Sequence, residues 1–391
     1  MAQSPARTKT TERPVKRLAN RKAEKGSIDM PFLILTLLLV ATGLIMLFSA
    51  SYPRSFHDND GNSAYYFIQQ AVAAAGGIVI MLVISQLPVT LWQRISMLVL
   101  AGSVFLLLLV PIAGVSVNGA KRWLKIGIQF QPSEIAKLGV ILSFASILSV
   151  YRDKMEEFKY GVLPFAAILV VVAGLLLIEP HLSATIIVVG VAVVMLYIGG
   201  IQKRWLLAGL LLGVLAVGIF ILMNPYALAR ITSHSHPEED PLGKGYQSIQ
   251  SRYAIGSGGI NGLGFGKSRQ KYLYLPEEHN DYIFAIICEE LGFIGALVVI
   301  LLFILLIFRG YWIAMHTQDR FGSMLVAGIV TKLALQVALN IGVVTTFLPS
   351  TGISLPFFSY GRTALLLQLA EIGLVLGVSK MREAPKTEKE E

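Results

Sequence analysis

The stretch "PFLILTLLLVATGLIMLFSAS", residues 31–51, decides the fold class of this chain. It carries no charged residue, and an α-helix of about 20 apolar residues crosses a hydrocarbon layer of about 30 Å. It is too long for the apolar core of a cleaved signal peptide, and no small-x-small cleavage site followed by a soluble domain accompanies it. We therefore interpret it as a transmembrane helix of the mature chain.

Nine further apolar runs follow along the 391 residues. The ten predicted spans are 31–51, 67–87, 91–112, 134–150, 162–178, 182–200, 205–223, 282–308, 322–347 and 356–378. Hydrophobic residues make up 54% of the sequence, charged residues 15%, and the mean hydropathy is +0.66, far more apolar than a soluble domain. We predict an all-α polytopic membrane protein with ten transmembrane helices.

The basic residues predict the orientation. The first thirty residues carry eight Lys and Arg, and the tail after Val378 carries four. Because loops rich in Lys and Arg stay on the cytoplasmic side, both termini are expected inside. The net charge of +9 then reflects this bias and attraction to anionic lipid, and we expect no nucleic-acid binding. The single cysteine, Cys288, can form no intrachain disulfide.

The expected organisation has three parts. Residues 1–27 are a disordered basic cytoplasmic tail, 28–379 form the ten-helix domain, and 380–391 form a second cytoplasmic tail. Residues 224–280 make one long extracytoplasmic loop between spans seven and eight, and a loop of this length is usually functional or disordered. The sequence has no clear internal repeat, which weakens an inverted-repeat transporter interpretation.

The end of this loop, "NGLGFGKSRQKYLYLPEEHND" at 261–281, contains a near-match to a nucleotide-binding P-loop. Asn261 stands where the first glycine belongs, and the strand and helix that give that motif its meaning are missing, so we exclude a nucleotide site. The glycines still allow backbone amides to approach an anion, and Lys267, Arg269 and Lys271 add positive charge. The segment is either a site for a phosphate or pyrophosphate group or a flexible loop with incidental basic residues.

Two more polar clusters fall on the same predicted face. In "NGAKRWLKIGIQFQPSEIAK", residues 118–137, Glu134 and Lys137 are spaced i,i+3 and can pair. Lys121 and Arg122 just before them are either an interfacial anchor or a headgroup contact. The turn "EPHLSAT", residues 179–185, is either a polar contact to this first cluster or a solvated turn.

The stretch "LPSTGISLPFFSYGRTALL", residues 348–366, has two prolines and predicts a re-entrant or broken helix entry that lines a cavity. Arg362 at this entry is expected to point inward, since a charge facing lipid is expensive. Lys332, Gln336 and Asn340 give span nine a polar stripe at i, i+4 and i+8. Taken together, the clusters fit an amphipathic anionic substrate whose tail stays in lipid.

Three long motifs show that the sequence resembles the SEDS family (shape, elongation, division and sporulation). They are "NGAKRW…QPSEIAKL" at 118–138, "AIGSGGINGLGFGKSRQKYLYLPEEHNDYIFAIICEELGFIG" at 254–295 and "LNIGVVTTFLPSTGISLPFFSYG" at 339–361. The resemblance covers nearly all ten spans and is closest to the FtsW/SpoVE branch. It implies a peptidoglycan glycosyltransferase of the bacterial cytoplasmic membrane that polymerises lipid II at the division septum. It also implies partnership with a class B penicillin-binding transpeptidase and other divisome membrane proteins.

The resemblance also implies the roles of individual residues. Asp281 matches the catalytic aspartate and is expected to act as general base, with inversion at the donor carbon. The expected substrate-binding residues are Lys121, Arg122, Glu134, Lys137, Lys267, Arg269, Gln270, Lys271, His279, Lys332, Ser359 and Arg362. No tightly bound cofactor is expected, but a divalent cation, Mg²⁺ or Mn²⁺, is compatible with the family, with no metal ligands identified. The chain departs from the family pattern at Asn280, His181 and Arg362.

Other interpretations remain open at this point. The chain could be a lipid II flippase, a RodA-like elongation polymerase, or a non-catalytic scaffold that recruits the transpeptidase. Asp281 could instead be the N-cap of span eight, a common place for aspartate. Small residues of span eight, Gly292, Gly295 and Ala296, predict close approach of the partner's membrane helix.

Overall fold

The computed structural model describes residues 26–117, 120–223, 228, 232, 234, 237–241, 243 and 245–381. Within these residues, ten helices are long and apolar enough to cross a membrane, which confirms the predicted fold class. We number them as spans one to ten: Met30–Asp58, Tyr65–Ile84, Val89–Ala113, Pro132–Val150, Phe158–Ile178, Leu182–Gly199, Lys203–Met223, Ile283–Met315, Arg320–Val344 and Arg362–Ser379. The predicted tails lie almost wholly outside the described residues.

Several spans begin where the local sequence favours a helix start. The side chain of Asp29 accepts from the Phe32 amide ahead of span one, and Asp319 accepts from the Gly322 amide ahead of span nine. Pro132 opens span four, where its missing N–H leaves no intrahelical bond unmade. Span five begins as a short helix, Phe158–Gly161, followed by Leu163–Ile178.

The core of the bundle is formed by spans four, nine and ten, which are mostly buried, together with span six. Span two packs along span ten, span three along span four, and span eight along span nine. Span seven has no buried residue and packs mainly against span six. The polar groups of spans four, nine and ten therefore lie in the middle of the protein.

The end of the bundle that carries the long loop is called the loop face here; it includes residues 59–64, 114–117, 120–131, 179–181, 245–282 and 345–362. It contains a small antiparallel sheet that the sequence did not predict, made of β1 (Val115–Val117), β2 (Ala120–Ile126) and β3 (Ile128–Phe130) in the order β1-β2-β3. The register pairs Ser116 with Lys121 and Leu124 with Phe130. The long loop also has order of its own, a loop helix at Tyr246–Gly258.

Residues 345–361 form the expected irregular entry to span ten. This segment, which we call the entry segment, has no regular secondary structure, yet Ile353, Leu355, Phe357 and Phe358 are buried. Their burial holds an irregular backbone inside the bundle, where its polar groups need partners from neighbouring elements. Those partners form much of the candidate site.

Candidate active site

Asp281 lies where the long loop meets span eight. The helix begins at Ile283 and its N-cap is Tyr282, whose side chain forms no capping hydrogen bond. Asp281 therefore precedes the cap, and the structure does not support interpreting it as the cap residue. Its side chain is half-buried beside the entry segment, where a Cβ added to Gly352 would lie 3.4 Å from Asp281 Oδ2. Gly352 has φ +73°, a left-handed backbone conformation that favours glycine.

The residues Glu278–Asp281 are each held by a different group, and we call this stretch the aspartate turn. Arg54 of span one donates from Nε and Nη2 to the Glu278 carboxylate at 2.9 and 3.3 Å. The next three backbone carbonyls accept, in order, from the Tyr360 amide at 2.9 Å, the Ser359 hydroxyl at 2.7 Å and the Asn340 side-chain amide at 2.8 Å. The stretch that presents Asp281 is thus held by span one, span nine and the entry segment.

The hydroxyl of Ser359, which was predicted to bind substrate, forms hydrogen bonds within the protein instead. Its Oγ accepts from the Leu355 amide at 2.7 Å and donates to the Asn280 carbonyl. Gln70 of span two binds the entry segment at two points. Its Nε2 donates to the Ser359 carbonyl and its Oε1 accepts from the Gly361 amide, both at 3.1 Å. The structure thus gives Ser359 a role in joining the entry segment to the aspartate turn.

His279 is buried in an aromatic group on the loop face. Its ring stacks on Tyr66 with centroids 4.9 Å apart and lies 5.9 Å from the ring of Tyr360. Its Nδ1 is 3.6 Å from Glu278 Oε1. Burial opposes ionisation of Glu278, but the contacts with His279 and Arg54 outweigh it and hold the Glu278 pKa below its usual value. Burial raises the pKa of Tyr360.

Four charged side chains of spans four, nine and ten meet in the interior. Lys137 Nζ is 2.7 Å from Glu134 Oε1, as the i,i+3 spacing predicted. Lys332 Nζ lies 2.6 and 2.9 Å from the two oxygens of Glu371, and 3.7 Å from Glu134 Oε2. We call this the ionic cluster. Lys137 and Lys332, predicted as substrate contacts, are buried and neutralised by carboxylates here.

The glycine-rich segment does not leave its backbone amides open for a phosphate. Two buried carboxylates of span eight, Glu289 and Glu290, occupy them. The Glu289 carboxylate accepts from the backbone amides of Arg269 (3.0 Å) and Gln270 (3.3 Å) and from the hydroxyl of Ser268 (2.5 Å). The Glu290 carboxylate accepts from the backbone amides of Gly266 (3.0 Å) and Ser268 (3.3 Å). It also accepts from the Lys271 ammonium (2.8 Å) and the Ser49 hydroxyl (2.7 Å).

This arrangement corrects the expectation that the backbone amides of this loop bind a phosphate. The amides do converge on an anion, but the anion is the protein's own pair of carboxylates. Lys271 is buried and pairs with Glu290, so its charge is already compensated. The resemblance to a P-loop arises because both structures point successive amides at negative oxygens.

Span eight is interrupted at Gly292, which has φ 67° and ψ −168°. In a continuous helix, the next two amides would donate to carbonyls four residues earlier. The loop supplies replacements on both sides of the break, and we call this the loop insertion. Its hydrogen bonds are Phe293 N to Gly259 O (2.9 Å), Ile294 N to Ile260 O (3.2 Å), Leu263 N to Glu289 O (3.0 Å) and Gly264 N to Glu290 O (3.0 Å).

The loop insertion corrects the expectation that Gly292 and Gly295 receive a partner helix. A Cβ on Gly292 would overlap the Gly262 amide and the Ile260 carbonyl, and a Cβ on Gly295 would overlap the side chain of Leu291. The small residues are needed for contacts within this chain. The residue spacing alone could not distinguish these two uses.

Three predicted residues, Lys267, Arg269 and Gln270, line one cavity of about 710 Å³ with Tyr272 and Tyr274. The Lys267 and Arg269 side chains are exposed there. Lys271 does not line this cavity, because its side chain pairs with Glu290 in the protein interior. Lys267 and Arg269 are therefore the basic side chains of the segment that face the cavity.

The other basic residues of the loop face are spread along it. Arg122 donates to the carbonyls of Glu179 and Pro180, so the 179–185 turn does contact the first cluster. Burial raises the pKa of Glu179 to about 8, although Arg122 opposes this. Lys121 is exposed. Arg362 is exposed as well, not enclosed as expected, because it is the first residue of span ten and reaches the surface.

Sequence reasoning missed several residues of this region, including Arg54, Gln70, the pair Glu289 and Glu290, and Glu371. A signal was available for the last three, since carboxylates inside apolar spans usually face a partner. No local pattern indicates that Arg54 reaches Glu278, because 224 positions separate them. Among the residues that the structure describes, no group of three or more His, Cys, Asp or Glu side chains could hold a metal ion.

Comparisons with known proteins agree with this architecture. The chain is 40% identical to stage V sporulation protein E of Bacillus subtilis over 91% of its length and 98% of that protein. It is 37% identical to a probable peptidoglycan glycosyltransferase FtsW of Trichlorobacter lovleyi, over 93% of this chain and 96% of the relative.

Solved structures give the same result. The rod shape determining protein RodA of Thermus thermophilus superposes with a TM-score of 0.69 at 28% identity, covering 91% of this chain and 98% of that one. A chain from work on structural coordination of polymerization and crosslinking by a peptidoglycan synthase complex superposes with a TM-score of 0.74 at 29% identity, covering 90% and 97%. A model of the cell cycle protein family of FtsW, RodA and SpoVE matches residues 30–384. The chain belongs to this family.

Proposed function

We propose that the chain is a peptidoglycan glycosyltransferase that polymerises lipid II into β-1,4 glycan strands, with Asp281 as general base. The observation that carries this proposal is the aspartate turn, where Glu278–Asp281 are held residue by residue and present one half-buried carboxylate beside Gly352. A reaction that needs a positioned base requires such a pre-organised support. The FtsW relatives named as probable peptidoglycan glycosyltransferases support the same activity.

The reaction joins the 4-hydroxyl of one lipid-linked disaccharide to the anomeric carbon of another. The hydroxyl oxygen forms the new C–O bond as its proton passes to the Asp281 carboxylate, and the bond from the anomeric carbon to undecaprenyl pyrophosphate breaks. Attack opposite to the leaving group inverts the anomeric carbon and gives the β linkage. A positioned general base contributes roughly 100- to 10,000-fold to such a step.

The leaving pyrophosphate needs positive charge as it departs. Lys267, Arg269 and Arg362 have exposed side chains on the loop face and are suited to this role, unlike Lys137, Lys271 and Lys332, which are already paired. A divalent cation would fit as well, because Mg²⁺ is commonly held by one or two carboxylates together with substrate phosphates. Such an ion would neutralise charge on the departing pyrophosphate.

The ionic cluster favours a polymerase over a lipid II flippase. A flippase needs polar groups that open alternately to both faces. The charges of the ionic cluster are buried and paired with one another, and Lys267, Arg269 and Arg362 are exposed on the loop face.

We further propose that the enzyme acts in septal wall synthesis at the bacterial cytoplasmic membrane, with both termini in the cytoplasm and a class B penicillin-binding transpeptidase as partner. Its similarity to FtsW proteins and to a sporulation protein supports a role at a septum more than in elongation. The similarity to a chain of a peptidoglycan synthase complex supports the partnership. Depletion in the native bacterium should give filaments with incomplete septa; swollen round cells would instead indicate an elongation role.

The decisive experiment uses the protein purified with its transpeptidase and incubated with fluorescent lipid II, with products resolved by glycan length. Asp281→Asn should insert and bind its partner normally but make no polymer, because the amide cannot accept the proton. Asp60→Asn, an exposed carboxylate on the same face, is the matched control and should polymerise normally. Polymerisation by Asp281→Asn near the wild-type rate would contradict the proposal, and Glu277→Gln then tests the neighbouring carboxylate.

A further inference from the structure

Asn340 of span nine is fully buried and contacts the backbone of Asp281. Its Nδ2 donates to two carbonyls, that of Asp281 at 2.8 Å and that of Ile353 at 2.7 Å. Because a carbonyl can only accept, these two bonds determine the orientation of the amide. Its Oδ1 is buried and has no hydrogen-bond partner among the described residues.

An unpaired buried acceptor is costly, and a residue with no polar atoms would avoid that cost. The site nevertheless retains an amide here, and both of its hydrogens serve the same purpose. They connect Asp281, which carries the candidate base, to Ile353, which follows the glycine that lies against the Asp281 carboxylate. The Asn340 amide therefore fixes the backbone of Asp281 relative to the backbone of the entry segment at Ile353.

We propose that Asn340 is a positioning residue for Asp281: it ties the aspartate turn to the entry segment and so holds the base in its reactive place. This inference rests on the proposed function of Asp281. The other two carbonyl contacts of the turn come from the entry segment itself, through Tyr360 and Ser359. Asn340 differs because it belongs to span nine, in the rigid core, and holds both segments at once.

Without this bridge, the aspartate turn and the entry segment keep their mutual contacts, and the entry segment still continues from Val344 of span nine, but the side-chain link from span nine to Asp281 and Ile353 is lost. A displacement of about 1 Å at a reacting group can lower a rate about 100-fold. Substrate contacts elsewhere on the loop face would be unchanged. The expected signature is a loss in kcat of about 10- to 100-fold with KM changed less than about 3-fold.

The test compares Asn340→Ala and Asn340→Asp with a matched control, Gln336→Ala, in the purified complex with lipid II. Gln336 is a buried amide of the same helix, one turn further from Asp281. Asn340→Asp keeps the shape but, when ionised, cannot donate to either carbonyl, and it carries the test if the alanine variant fails to insert. Both Asn340 variants should lose kcat, whereas Gln336→Ala should remain within about 3-fold of wild type.

A double-variant cycle separates positioning from general damage. Gly352→Ala strains a backbone with φ +73° directly beside Asp281, with the new methyl group in van der Waals contact with Oδ2, so it should shift this backbone and also lower kcat. If both changes act by displacing Asp281, the combined loss should be clearly smaller than the product of the two single losses. Multiplicative losses, a loss confined to KM, or equal losses in Gln336→Ala would overturn the positioning role. Failure of the proposed function is distinguishable, since it would appear as an active Asp281→Asn.

Discussion

Replacing Glu290 with glutamine should release the glycine-rich segment from span eight. The carboxylate of Glu290 is fully buried and accepts hydrogen bonds from four residues, including one from the Lys271 ammonium at 2.8 Å. Glutamine has nearly the same shape but no charge, and its NH₂ group faces donors. Removing one partner of a buried ion pair costs about 3–5 kcal/mol, because the other charge stays buried without compensation.

This energy predicts how often the segment opens. Since about 1.4 kcal/mol corresponds to a factor of ten, the open population should rise by about 100- to 1,000-fold or more. Native-state trypsin cleavage at Lys267 and Arg269 follows that population when opening is faster than cutting. The rate of cleavage within residues 262–272, measured by mass spectrometry on protein in detergent, should therefore increase by about the same factor.

Two further variants make the argument specific to the ion pair. Glu156→Gln removes an exposed carboxylate and should leave cleavage unchanged. The double variant Lys271→Met/Glu290→Gln removes both buried charges, so it should open less often than Glu290→Gln alone. If Glu290→Gln is cleaved at the wild-type rate, the carboxylate does not hold the segment and the energetic reasoning is wrong.

Two other expectations follow from the loop face. Gly292→Ala should lower the unfolding temperature, because the backbone angles of Gly292 suit glycine and a methyl group would overlap the loop insertion, a strain of at least about 1–3 kcal/mol. The control Gly213→Ala should be neutral or slightly stabilising, because the space where its Cβ would lie is open. Equal changes in the unfolding temperatures of the two variants would argue against the insertion. The Glu179 pKa of about 8, raised from 4.5, means that its protonated form is favoured by folding, so its contribution to stability is full below pH 4.5 and is lost as the pH rises through 8. Melting temperatures should fall between pH 5 and 8 in wild type and less steeply in Glu179→Gln, while parallel curves would contradict the raised pKa.

The spans could be predicted from the sequence because their signal is local. A run of apolar residues long enough to cross the bilayer can satisfy its backbone only as a helix, whatever surrounds it. The Glu134–Lys137 pair was predictable for the same reason, since a helix fixes the i,i+3 distance. The irregular entry segment was also predictable, because its prolines prevent a continuous helix.

The small sheet and the loop helix were not predicted, because their signals are weak. Strands of three to seven residues give almost no alternation to detect. The loop helix is polar on average, so no apolar face marks it. Both elements depend on neighbours on the loop face and not on their own composition.

The candidate site was predicted in its residues but not in its contacts. Asp281, His279 and Ser359 do lie together, but the roles of Ser359 and Lys271 changed once their partners were visible. Those partners lie far away in the sequence, and one sequence shows no pairing between distant positions. Lys271 illustrates the difficulty, since a lysine in a glycine-rich loop has the same local sequence whether it faces a ligand or a buried carboxylate.

The ionic cluster also constrains how the chain enters the membrane during synthesis. Glu134 and Lys137 belong to one helix and can leave the translocon as a neutral pair. Lys332 is in span nine, whereas its closest partner, Glu371, is in span ten and is made 39 residues later. A lysine at the centre of a lone helix resists insertion by about 2.5–3.5 kcal/mol. Span nine should therefore wait beside the translocon or against span four until span ten emerges, and a ribosome stalled before Glu371 should leave span nine poorly inserted.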